Sequence, residues 1–131
     1  MARLAVAGFG KLGSALVRGA LARGVVQAAE VCVWARSEPR RQLANELGLR
    51  LVEWPDVLQS APTVLLALKP QVFESMTAAV PRGAAATQWI SVMSGWSASD
   101  LSARLGGGCV IRAMPSVAAV SYTHLTLPTK A

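Results

Sequence analysis

The feature that most constrains this chain lies at its start. A short apolar run, Arg3-Leu4-Ala5-Val6-Ala7, leads directly into Gly8-Phe9-Gly10-Lys11-Leu12-Gly13, and a helix-like pattern follows at once. A glycine triad with this spacing, set between a strand and a helix, suits a ligand that carries a pyrophosphate. Gly8 permits the tight turn, Gly10 lets backbone approach the phosphates, and Gly13 lets the helix pack closely on the sheet. The helix then offers unpaired N–H groups and the positive end of its dipole to the anion. Without the flanking strand and helix, the same residues would read as a plain glycine turn. Lys11 either adds charge beside the phosphates or is an ordinary exposed helix lysine.

The pattern behind this loop repeats. Short apolar runs without strict alternation occur at Arg3–Ala7, Val31–Trp34, Arg50–Val52, Thr63–Ala67, Trp89–Met93 and Cys109–Arg112, as strands buried on both faces require. Helical patterns separate them. The first spans Lys11–Arg23, with Leu12, Ala15, Leu16, Gly19 and Ala20 on one face and Gly24 ending it. The second has Pro39 in its first turn and turns Leu43 and Leu47 inward. A short third follows Pro55. The fourth carries Val72, Met76 and Val80 and stops at Pro81. The fifth opens on Ser97 with Asp100 three residues on and ends in Gly106-Gly107-Gly108. Repeated strand–helix alternation predicts a single-domain α/β fold: a Rossmann-type, doubly wound, mostly parallel sheet of six strands.

The chain has 131 residues, enough for one domain, and no interdomain linker. At 53% hydrophobic it is no disordered polymer. Thirteen Lys and Arg against seven Asp and Glu give a net charge of +6, yet the arginines are dispersed and only Arg40-Arg41 are adjacent. The excess therefore points to small anions such as phosphates rather than to nucleic acid. No apolar run reaches membrane-spanning length. Cys32 and Cys109 each sit in an apolar run and read as reduced core thiols of a cytoplasmic protein. The domain is expected over residues 1–120. Residues 121–131 (Ser-Tyr-Thr-His-Leu-Thr-Leu-Pro-Thr-Lys-Ala) break the rhythm and are read as a tail of doubtful origin.

The cofactor is narrowed by the end of the second strand. An NAD site places an acidic residue there, about 20 residues beyond the glycines, to bind the ribose hydroxyls. Here the segment is Trp34-Ala35-Arg36-Ser37. A guanidinium forks onto a phosphate and a hydroxyl donates beside it, so Arg36 and Ser37 suit the 2′-phosphate of NADP(H). Arg40 and Arg41 are positioned to reinforce them. The alternative is that these arginines form a solvated surface.

Three further segments follow strands: Leu65-Leu66-Ala67-Leu68-Lys69-Pro70-Gln71, Ser91-Val92-Met93-Ser94-Gly95-Trp96-Ser97, and Val110-Ile111-Arg112-Ala113-Met114-Pro115. Together with the glycine loop and Trp34–Ser37, they resemble the N-terminal domain of the pyrroline-5-carboxylate reductase family over residues 1 to about 120. The resemblance implies hydride transfer from NADPH to the cyclic imine 1-pyrroline-5-carboxylate, giving proline. It implies that Gly8–Gly13 cradle the pyrophosphate and that Ala35, Arg36 and Ser37 border the 2′-phosphate. Ala67, Leu68, Lys69 and Pro70 then flank the nicotinamide ribose. Ser94, Gly95, Met114 and Pro115 lie near the nicotinamide or the substrate mouth.

The chain departs from the family pattern at Lys11-Leu12, where Asn-Met is usual. It also departs at Trp54, where an asparagine is common, and at Ser116-Val117-Ala118, where Asn-Thr-Pro is usual. The family carries a second, helical domain that forms the dimer and completes the substrate pocket, and the chain leaves the pattern before it. The expectation is therefore a fragment that binds NADP(H) without efficient turnover, forms homo-oligomers only with the second domain, and takes a small-molecule imine only in the complete enzyme. Two alternatives stand beside it: a non-catalytic NADP-binding or sensor module, and the N-terminal domain of another NADP-dependent dehydrogenase. The only histidine, His124, lies in the tail, and no carboxylate pair or metal-ligand spacing stands out. No catalytic side chain is named, and no metal is expected.

Overall fold

The computed structural model describes residues 2–77 and 88–113. Six strands form one sheet: β1 (Leu4–Ala7), β2 (Val31–Trp34), β3 (Arg50–Leu51), β4 (Thr63–Leu66), β5 (Gln88–Ser91) and β6 (Cys109–Arg112). Their spatial order is β3-β2-β1-β4-β5-β6, and every pairing is parallel. This is the doubly wound order, with the chain reversing direction across the sheet between β1 and β4. The helices are α1 (Lys11–Ala22), α2 (Glu38–Glu46), α3 (Pro70–Thr77) and α4 (Ala98–Leu105).

Side-chain alternation along the strands builds two cores. One face gathers Ala5, Ala7, Cys32, Trp34, Val64, Leu66 and Trp89 with Phe73 of α3 and Leu101 and Leu105 of α4. The other gathers Val6, Val31, Val33, Leu65 and Val92 with Leu16 and Val17 of α1 and Ala44 of α2. Strands buried on both sides have no solvent face, which is why their sequences lack polar alternation. Trp89, fully buried, satisfies its indole N–H on the Gly107 carbonyl at 3.1 Å, so this bulk enters the core without an orphaned donor.

Local chemistry sets the element ends. Ser97 caps α4 by accepting the Asp100 N–H at 3.0 Å, and Gly106 closes it in the left-handed region at φ +86°. A 3-10 turn at Ala28–Glu30, held by the Gln27 N–H donating to Glu30 Oε1 at 2.9 Å, carries the chain into β2. That hydrogen bond is the main cause of a lowered Glu30 pKa.

Two helix faces differ from the sequence reading. In α1 the buried residues are Gly13, Ser14, Leu16 and Val17, whereas Gly19 and Ala20 are half-buried. The reason is close docking at the start of the helix, while Ala20 packs on the core at its edge. In α3 Phe73 and Thr77 take the deepest positions, and Val72 and Met76 flank them. Val80 and Pro81 lie outside the described residues.

One cysteine expectation is corrected. Cys32 is buried, but Cys109 is exposed, because β6 is an edge strand. Burial pushes the Cys32 thiol above its ordinary pKa, so it stays protonated and shielded. A thiol reagent at pH 8 is expected to modify Cys109 rapidly and Cys32 only on unfolding, read as one adduct against two by mass spectrometry. Phe73→Ala is expected to cost about 3–5 kcal/mol in urea unfolding, because it empties a ring-sized volume between α3 and the sheet.

Candidate functional site

The site is built where β1 stops. Gly8 has φ +105°, a backbone conformation open to glycine and strained for other residues. A Cβ there would also lie 2.8 Å from the Ala67 carbonyl oxygen and 2.9 Å from Leu68 Cδ2. The turn is therefore pressed against the end of β4, and hydrogen bonds hold it on both sides. The Gly8 N–H donates to the Trp34 carbonyl at 3.0 Å, and the Ala67 N–H donates to the Ala7 carbonyl at 2.9 Å. Gly13 seats the helix, since any Cβ there would collide with the Gly8 carbonyl. Phe9 points inward and is buried in the α1-side core.

Gly10 is the opposite case. It is exposed, and a Cβ there would meet nothing within 4 Å. It caps α1 without any side-chain hydrogen bond, and the first turn carries no acid. The N–H groups of Lys11, Leu12 and Gly13 precede the first helical hydrogen bond, from Ser14 N–H to the Gly10 carbonyl at 2.9 Å. Open space in front of uncapped N–H groups is what an incoming phosphate needs. Lys11 is exposed at this end, and Leu12 is half-buried beside it.

At the end of β2, Ala35 is buried while Arg36 and Ser37 are exposed. Ser37 occupies the N-cap of α2, but its side chain makes no capping bond. Among the described residues Arg36 has neither an ion pair nor a hydrogen bond. Both polar groups are thus uncommitted. Arg41 differs: it pairs with Glu38 at 3.7 Å and Glu53 at 3.6 Å in solvent-exposed ion pairs. Its carboxylate partners lie within its reach on α2 and behind β3, a constraint that sequence adjacency to Arg40 conceals. Trp54 donates from Nε1 to the Met76 carbonyl at 3.1 Å and sits 5.2 Å from Trp34, ring centre to ring centre.

The Ala67–Pro70 segment leaves β4 beside Gly8. Leu68 is buried, Lys69 is exposed, and Pro70 starts α3, whose first turn is tied by Phe73 N–H to the Lys69 carbonyl at 2.9 Å. Ser94 and Gly95 are exposed in the turn after β5. Pro70 and Gly95 meet across a groove of about 360 Å³, which Gln71, Glu74, Trp96 and Asp100 also line. The structure therefore gathers the segments after β1, β2, β4 and β5 at the carboxyl ends of the strands, where open α/β sheets bind ligands. Met114 and Pro115 lie outside the described residues. The sequence reading missed the Trp96 contribution. Trp96 packs edge-on to Phe73 at 4.9 Å and lies under Arg104 at 5.2 Å, which no local motif announces. Among the described residues no group of three or more His, Cys, Asp or Glu side chains could hold a metal ion.

Comparison with known proteins agrees with this geometry. The family model described as NADP oxidoreductase, coenzyme F420-dependent, matches residues 3–95. A pyrroline-5-carboxylate reductase of Thermus thermophilus is 39% identical over 95% of this chain and 48% of its own length. One of Mycobacterium leprae is 33% identical over 99% of this chain and 47% of its own length. The chain thus spans about half the length of the curated relatives it matches. Among solved structures, a pyrroline-5-carboxylate reductase from Coxiella burnetii superposes with a TM-score of 0.74 at 23% identity, over 92% of this chain and 46% of the other. A reductive aminase from Aspergillus terreus, in complex with NADPH, gives 0.72 at 20% identity over 89% of this chain and 42% of the other. At these identities the two structures speak for the fold.

Gly13 and Gly10 differ in a way stability measurements will separate. Gly13→Ala is expected to destabilise the fold by about 1–3 kcal/mol through overpacking against the Gly8 carbonyl. Gly10→Ala is expected to stay within about 1 kcal/mol of the parent, the ordinary cost of a cap change. Thermal unfolding of the two variants side by side checks both.

Proposed function

The chain belongs to the NADP oxidoreductase, coenzyme F420-dependent family, and on that premise we propose that it is the NADPH-holding half of an imine reductase of the pyrroline-5-carboxylate reductase type. The observation that carries this reading is the anion cradle: the uncapped start of α1 above open space, with Arg36 and Ser37 uncommitted beside it. The 39% identity to a protein named pyrroline-5-carboxylate reductase supports the choice of reaction.

In this reading the backbone of Gly8–Gly13 takes the pyrophosphate, and exposed Lys11 adds positive charge at its edge. Phe9 and Leu12 anchor the loop from below. Arg36 forks onto the 2′-phosphate while the Ser37 hydroxyl donates to it, and buried Ala35 leaves both at the surface. Ala67, Leu68, Lys69 and Pro70 border the nicotinamide end, opposite Ser94 and Gly95. The resemblance assigns Met114 and Pro115, outside the described residues, to the same end. When bound, the nicotinamide supplies the hydride. The chain's own task is to orient it and to keep one wall of the pocket dry. The groove between Pro70 and Gly95 is the proposed entry for a small imine, and a protonated imine carbon needs no strong acid from the protein.

We assign the rest of the substrate pocket, and any homo-oligomer contact, to sequence equivalent to the unmatched half of the relatives. Residues 1–120 are the working domain in this scheme, and 121–131 contribute nothing to it. The free thiols fit a cytoplasmic setting. Among the described residues no helix is long and apolar enough to cross a membrane.

Calorimetric titration is expected to show NADPH binding more tightly than NADH. Arg36→Ala should weaken NADPH about tenfold to a hundredfold, the worth of a charge-assisted hydrogen bond, and leave NADH unchanged. Equal affinities in the parent chain would refute the 2′-phosphate assignment. Reduction of 1-pyrroline-5-carboxylate by the 131-residue chain is expected to be orders of magnitude below that of a full-length relative, because positioning accounts for roughly 7–11 kcal/mol of such barriers. Full turnover by the chain alone would refute the division of labour.

A further inference from the structure

The ribose that carries the 2′-phosphate of NADP(H) also carries the adenine base. A phosphate held by Arg36 and Ser37 therefore brings the base to rest one sugar away, beside the end of β2. A purine has two broad flat faces, and an aromatic side chain that is partly open to solvent suits one of them.

Trp54 stands at this place. The sheet register pairs Val33 with Leu51, and the Val52 N–H donates to the Val33 carbonyl at 2.9 Å. Three residues beyond the Val33–Leu51 pair, the two chains have reached Arg36 and Trp54. Both have left the sheet at its carboxyl end. The Trp54 ring is held on two sides. Its Nε1 N–H donates to the Met76 carbonyl at 3.1 Å, and its centre lies 5.2 Å from that of Trp34 with the planes at 59°. The residue before it, Glu53, is tied to Arg41 of α2 at 3.6 Å. A ring fixed in advance loses little freedom when a ligand arrives. Its single polar group, the indole N–H, is already used, so what it offers a ligand is a face.

The other tryptophans are engaged elsewhere. Trp89 is fully buried, Trp34 is nearly so, and Trp96 lies under the Arg104 guanidinium at 5.2 Å. Trp54 is half-buried, and among the described residues no cation covers it. We infer that Trp54 is the platform on which the adenine base of the cofactor stacks. The ring is this chain's own, standing where an asparagine is common in the family. The inference rests on the reading that Arg36 and Ser37 take the 2′-phosphate, and it gives the base a contact that no charged side chain provides.

The test uses the 131-residue chain and 2′,5′-ADP, which carries the adenine, the ribose and its two phosphates without the nicotinamide. This probe absorbs no light in the tryptophan emission band, so quenching by it reports contact. In calorimetry Trp54→Phe, which keeps a ring, is expected to bind within about threefold of the parent, whereas Trp54→Leu is expected to bind about tenfold more weakly or worse, as the loss of one base–aromatic stack requires. The probe is expected to quench part of the parent's tryptophan emission. Most of that quenching should vanish in Trp54→Phe while binding persists. Trp54→Leu also gives up the Met76 hydrogen bond, so its titration is run below its melting transition, and the quenching of Trp54→Phe decides independently of it. Parent-like affinity in Trp54→Leu overturns the inference, as does parent-like quenching in Trp54→Phe. A parent chain that binds 2′,5′-ADP but gives either result loses the platform alone. A parent chain that binds neither 2′,5′-ADP nor NADPH loses the cofactor reading as well.

Discussion

The contact on which everything else here depends is the seating of α1 on the Gly8 carbonyl through Gly13. It is a steric contact with no tolerance, because the smallest side chain would collide with backbone. By forcing the helix down onto the turn, it aims the first N–H groups outward over Gly10 instead of burying them. The same compression pins Gly8 under Ala67 and Leu68, so the end of β4 is held against the end of β1. The crevice between these strands is the point where the sheet order reverses. The site is therefore placed by backbone packing before any charged side chain takes part.

Charge enters second and selectively. Arg36, Arg40 and Arg41 lie close in sequence around the start of α2, yet their partners differ. Arg41 is consumed by two carboxylates, one of them behind β3, while Arg36 is left without a partner among the described residues. Exposed ion pairs such as those of Arg41 contribute little to stability. They hold the Arg41 side chain toward Glu38 and Glu53. A phosphate arriving at the end of β2 meets Arg36 and the uncapped Ser37.

Most of the fold was legible because buried parallel strands and capped helices write themselves locally. The strands at Val31–Trp34 and Cys109–Arg112 carry the same bounds in sequence and structure, and Ser97 with Gly106 brackets α4 by cap chemistry that acts within a few residues. What was illegible depends on distance. The exposure of Cys109 follows from β6 being an edge, which no local pattern states. On α1 the apolar spacing found Leu12, Leu16 and Ala20, which pack on the core, but not the depth of Gly13, Ser14 and Val17, which depends on how closely the helix docks. Likewise the glycine loop could be read as a ligand site, but the loss of Arg41 to Glu53 needed β3 and α2 in place. The Met114–Pro115 end of the site lies outside the described residues.

The two faces of the sheet are covered by different helices. Each crossover in a doubly wound sheet covers one face only, and this chain assigns two helices to each. The α3–α4 side is complete: it buries Phe73, Trp89, Leu101 and Leu105 and hydrogen-bonds the Trp89 indole. The α1–α2 side buries Val6, Val31 and Val33 together with Leu65 of β4 and Val92 just after β5. Burial of apolar surface is worth about 25 cal/mol per Å². Apolar strand surface on both faces therefore contributes to stability, and the glycine turn is braced from the two cores by Phe9 and Leu68.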